Sequence, residues 1–116
     1  MTEILRHIEE LPYPQLVVLL ALTTLENANE SYGWALLDRL TKSKIDVATA
    51  FLDLVDRELV WARSESLILK ANGHPESLMV DVVKGNITLM SDVDQVLKTK
   101  RGAINALYNQ KRKKNV

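Results

Sequence analysis

The sequence predicts a mainly α domain with small β hairpins, an α+β chain in which short helices share one core, hairpins follow, and a long helix comes last. Three observations predict it. Leu36, Leu37 and Leu40, then Val47, Phe51 and Leu54, recur at spacings of three and four, as two consecutive helices facing one core require. Directly after them, Leu59, Val60 and Trp61 change to strand-like composition. From Asp92 onward, Val93, Val96, Leu97, Ala103, Ile104, Leu107 and Tyr108 return to a helical stripe. With 116 residues and 47% hydrophobic content, a single domain over 1–116 with one core is expected.

Residues 2–11 read as the first helix: Thr2 caps it, Ile4, Leu5, Ile8 and Leu11 form its stripe, and Pro12 stops it. Pro14 suits a first helical turn, and Gln15 to about Ala28 is apolar enough to be buried over much of its circumference. The apolar run Leu16 to Leu22 is far short of the roughly 20 residues that span a bilayer. The opening MTEILRHIEELP lacks the basic start and apolar stretch of a secretory signal. No membrane partner and a cytoplasmic location are therefore expected, and the absence of cysteine agrees with a reducing compartment.

Ser31 is the expected cap of a helix over 32–41. Ser43 is the expected cap of the next, with Asp46 near its first-turn amides, and that helix is expected to reach about Glu58. Leu59 to Trp61 then pairs with Leu67 to Lys70 across Ser64-Glu65-Ser66, completing a core over 13–71. Beyond Asn72-Gly73-His74-Pro75, Leu78, Val80 and Val82 alternate and meet Ile87 and Leu89 across Lys84-Gly85-Asn86, a second hairpin over 77–90. The rival is a helix from Pro75, since Leu78, Met79, Val82 and Val83 also satisfy a helical stripe; the valines and the Gly-Asn pair favour the hairpin. The last helix is expected over 92–111, weakened at Gly102 by about 1 kcal/mol relative to Ala, with a frayed basic tail over 111–116.

Chemistry of the catalytic kind is not indicated. His7 and His74 are the only histidines, no thiolate completes a zinc set, and no nucleophile-elbow or phosphate-cradling glycine pattern occurs. No enzyme activity, cofactor or metal is expected. Trp34 and Trp61 fall at helical and strand-core spacing and read as packing residues. The net charge is zero, but its distribution is not even. Residues 1–71 hold 7 Lys+Arg against 11 Asp+Glu, and residues 92–116 hold 7 against 2, so a polyanion would be met by the C-terminal segment.

The stretch Leu36 to Arg63 resembles the core of MarR-type winged-helix repressors. Counting from Val47, that family has apolar residues four, seven, twelve and thirteen positions on, where this chain has Phe51, Leu54, Leu59 and Val60, followed by Arg63 in the wing strand. Ser31-Tyr32-Gly33-Trp34 with Leu37 to Leu40 is similar, with Gly and Tyr in reversed order, to the start of the second helix in PadR-type repressors. The resemblance implies a winged-helix core plus a long C-terminal helix, and a dimeric transcriptional regulator bound to double-stranded DNA. Its homodimer contact would fall on the terminal helices at Ile4, Ile8, Val93, Leu97, Ile104, Leu107 and Tyr108; closure of the chain's own core by these residues is the competing reading. The expected DNA contacts are Lys42, Lys44 and Thr49 around the third helix of that core, Arg63 and Lys70 in the wing, and Lys98, Lys100, Arg101, Lys111, Arg112, Lys113 and Lys114 beyond it.

Two departures stand against a base-reading role. Glu58 occupies the position where the family has a helix-ending glycine, so a left-handed terminus there would be strained. Asp46 and Asp53 lie on the face that would meet a major groove, alongside Ile45, Ala48 and Leu52, whereas base readout favours Arg, Lys, Asn and Gln. The alternative is a non-enzymatic adaptor that docks a protein partner, part of a replication or transcription machine, through Ile45, Ala48 and Leu52.

Overall fold

The computed structural model describes residues 2–26, 42, 46–63 and 85–114. Their elements run α1 (Thr2–Glu9), α2 (Tyr13–Glu26), α3 (Val47–Asp56), β1 (Val60–Ala62), β2 (Ile87–Leu89), α4 (Ser91–Thr99) and α5 (Arg101–Lys114). A mostly helical body thus carries a small antiparallel sheet and a C-terminal helix, as the sequence predicts. None of its helices, among the described residues, is long and apolar enough to cross a membrane.

Helix α2 is the centre. Leu16, Val17, Val18, Leu19, Ala21 and Leu22 are all buried, so successive residues around its circumference face other elements. Its start is set by the chain before it: Leu16 N–H donates to Pro12 O, making Pro12 the cap, and Pro14 sits where the first-turn N–H groups have no helical acceptor anyway. Leu11 and Leu16, both fully buried in the same cluster, hold the positions of a hydrophobic staple across that start. α3 packs on α2, while α5 and β2 cover further sides of it and α1 lies on α4.

The helix expected from Ser43 begins instead at Val47. Its cap is Asp46, whose Oδ1 accepts from Thr49 N–H at 3.0 Å and whose Oδ2 accepts from Thr49 Oγ1 at 2.6 Å. A carboxylate three residues before an available amide and hydroxyl outcompetes a serine one turn too early. At the other end α3 stops at Asp56, and Glu58 takes the left-handed conformation with φ 62°. Glu58 N–H donates to Val55 O and Leu59 N–H to Leu54 O, the paired bonds of a Schellman turn. Leu54 and Leu59, buried on either side of it, provide the apolar contact that accompanies this motif.

The turn delivers the chain into β1. Its partner is β2, antiparallel, with Val60 opposite Leu89, Trp61 opposite Thr88 and Ala62 opposite Ile87. Sequence alone assigns these two strands to separate hairpins; the structure makes them neighbours in one sheet, because Val60, Ile87 and Leu89 are the residues that close the core beside α3. The expected partner strands over 67–70 and 78–82, like the helix over 32–41, lie outside the described residues.

The single helix expected over 92–111 is two. α4 ends at Lys100 (φ −112°, ψ 32°), and α5 restarts at Arg101, so the break precedes Gly102, which lies within the first turn of α5. A straight helix over 91–114 would be about 36 Å long, beyond the 32 Å longest extent of the molecule. The bend keeps Val93, Val96 and Leu97 of α4 and Ile104 of α5 in one core. The tail expected to fray is helical to Lys114.

Candidate nucleic-acid interface

The cations named from the sequence separate into three kinds. Lys100, Arg101, Arg112, Lys113 and Lys114 are exposed at the two ends of α5. Arg112 lies over the ring of Tyr108 with its guanidinium carbon 6.0 Å from the centroid, and Tyr108 in turn stands 5.9 Å from Tyr13 of α2. Lys98 and Arg63 are exposed but engaged: Lys98 pairs with Asp94 at 2.9 Å, and Arg63 Nη1 donates to Asn86 Oδ1 at 3.3 Å next to the strand bond from Arg63 N–H to Asn86 O. Lys111 is half-buried, its ammonium donating to Glu9 O at 2.8 Å and to Leu11 O. Lys42 is exposed, and Lys44 and Lys70 lie outside the described residues.

On α3, Thr49 is exposed yet spends both its N–H and its hydroxyl on Asp46. Those bonds, the hydroxyl first, hold the Asp46 carboxyl below its usual pKa, so the end of α3 that would face phosphates carries a fixed negative charge. Asp53 is held by Gln15 Nε2 at 3.0 Å and by Arg57 at 2.8 Å, which ties the acid to α2 and neutralises part of it. Asp56 is exposed one turn on.

The apolar patch expected to dock a partner lies only partly on the surface. Ala48 is buried, Leu52 is half-buried against the core, and Ile45 lies outside the described residues. The same holds for the dimer set: Ile8, Val93, Leu97 and Ile104 are buried within this one chain, and Ile4, Leu107 and Tyr108 pack partly against that core. These stripes close the chain's own core because α1, α4 and α5 converge on it.

Trp61 corrects a third expectation. Val60 and Ile87 point inward, so strand alternation turns Trp61 outward, where it is 48% exposed opposite Thr88, with Met90 at 42% further along. The alternation was the signal available in sequence. A groove of about 470 Å³, which sequence reasoning did not anticipate, runs between α1 and α5 along Leu5, Glu9, Ala103, Ile104, Ala106, Leu107 and Gln110. Among the described residues no cluster of His, Asp and Glu is arranged to hold a metal ion.

In comparison with known proteins, the chain matches no family model, no curated protein and no solved structure.

Proposed function

We propose that this chain is a small, non-enzymatic winged-helix protein that grips double-stranded DNA by its phosphates and acts as a dimeric transcriptional regulator. The observation that carries the DNA half is the exposed cationic surface of α5, with Arg112, Lys113 and Lys114 on an ordered helical turn and Lys100 and Arg101 at its start. The fold half is supported by α3 passing through its left-handed turn straight into a paired strand, the order a recognition helix and wing require. Phosphate contacts of this kind position a protein on a duplex and carry no sequence information.

The second reading, a protein adaptor docking through α3, is favoured by Asp46, Asp53 and Asp56 on the helix that would otherwise read bases. Fluorescence anisotropy with random duplex DNA separates the two. Phosphate gripping gives about micromolar affinity at low salt that falls steeply as salt rises, and replacing Arg112, Lys113 and Lys114 by Glu abolishes it. Asp56→Asn then tightens binding by removing a repelling charge; an adaptor leaves the duplex unbound at low salt, which overturns the DNA reading. Dimerisation in this reading uses the groove between α1 and α5 through Leu5, Ala103 and Ala106, since the deeper stripe is occupied. Sedimentation velocity checks it, with Ala106→Arg expected to leave a monomer.

A further inference from the structure

The basic run at the end of α5 is not uniform in what it does. Arg112, Lys113 and Lys114 face solvent, whereas Lys111 turns back to the corner between α1 and α2 and donates to Glu9 O and Leu11 O. Pro12 and Pro14 stand at that corner and bring no N–H to it. Glu9 ends α1, and a helix terminus of this polarity presents carbonyls that a cation satisfies well. The Lys111 stem is partly buried on the way, and burial, with the charge of Lys114 adding, lowers its pKa from the ordinary lysine value.

The position also matters for the groove. Glu9 and Gln110 line one end of it, and Lys111 crosses from α5 to α1 beside them. Next to it, Tyr108 rests on Tyr13, so the same turn of α5 is also fixed to the first turn of α2.

We propose that Lys111 is a strap that fastens α5 to the α1–α2 corner and sets the width of the groove between α1 and α5, so that removing its charge opens the groove while the α2–α3 core stays closed. An apolar or neutralised side chain at 111 leaves the Glu9 and Leu11 carbonyls without this donor, and water entering to satisfy them parts the two helices. The strap goes beyond the DNA reading and does not depend on it, since every contact is made within the chain.

Amide hydrogen exchange of the whole chain tests it with two variants of equal charge loss. Lys111→Met keeps the stem and removes the ammonium; Lys113→Met removes an exposed ammonium that makes no such contact. Lys111→Met is expected to speed exchange by about tenfold over 104–114 and 8–11, Lys113→Met by under about twofold, with α3 unchanged in both. Unchanged protection in Lys111→Met overturns the strap, as do equal effects of the two variants. An acceleration that spreads equally to α3 overturns it too, because that would be general loosening.

Discussion

Two helix ends in this molecule meet the same chemical demand in opposite ways. At the end of α3 the carbonyls of Leu54 and Val55 are satisfied by the N–H groups of Leu59 and Glu58, all within six residues. At the end of α1 the Glu9 carbonyl is met by Lys111, 102 residues on. The start of α3 is equally local, with Asp46 and Thr49 three residues apart. α3 carries its own termini, whereas at the end of α1 local bonds from Glu10 and Leu11 N–H reach the Arg6 and Ile8 carbonyls and the Glu9 carbonyl is left to the tertiary fold. A terminus of the first kind is written in a short stretch of sequence; one of the second kind is decided by which helix happens to pass.

The difference can be broken most severely at the local end. Leu54→Ala removes the buried side chain that anchors the Schellman turn and leaves a cavity beside Phe51, and it is expected to cost about 2–5 kcal/mol in urea unfolding. Next comes the start of α3: Asp46→Ala is expected to cost about 1 kcal/mol. Its pH dependence follows from the sign of the shift. The carboxyl pKa is lowered in the folded chain, so the stabilisation is present in full above its ordinary value of 3.8 and is lost as the pH falls through the lowered one. Chemical denaturation from neutral to strongly acidic pH should show the wild type converging on Asp46→Ala.

A gain is expected at Glu58. Glu58→Gly relieves a left-handed residue that carries a side chain, and thermal unfolding should show stabilisation of about 0.5–1 kcal/mol, a rise of roughly 2–5 °C. Were the melting temperature to fall instead, the turn would owe more to the Glu58 side chain than its backbone geometry accounts for. The smallest effect belongs to the ion pair of α4, exposed at Lys98 and half-buried at Asp94: Lys98→Ala should change stability by no more than about 0.5 kcal/mol, and less still at high salt.

Much of the local architecture was legible in sequence. Val47, Phe51, Leu54, Leu59 and Val60 are all buried as their spacing requires, and α2 is enclosed as its composition requires. Glu58 was marked by its identity at a helix end, and the strain is there. Sequence cannot choose the cap of α3, because Ser43 and Asp46 both offer an acceptor and only the geometry of Thr49 decides between them. The bend at Lys100 has no signal in sequence, since Gly102 is the stronger breaker by propensity and the bend goes with the packing of Val93, Val96, Leu97 and Ile104 into one core. The joining of β1 to β2 and the turning of Lys111 away from its basic neighbours are tertiary facts, decided by residues tens of positions away.

The remote contact at the end of α1 also predicts an order of folding. The turn after α3 closes over a handful of residues, on the timescale of local structure, whereas the Lys111 contact requires the ends of a loop of about a hundred residues to meet, an entropic toll that grows with loop length. α1, at eight residues too short to be stable alone, is therefore expected to gain its last contact only when α5 arrives. In refolding, protection of its last amides should trail that of α3, so the segment nearest the beginning of this chain is among the last to become native.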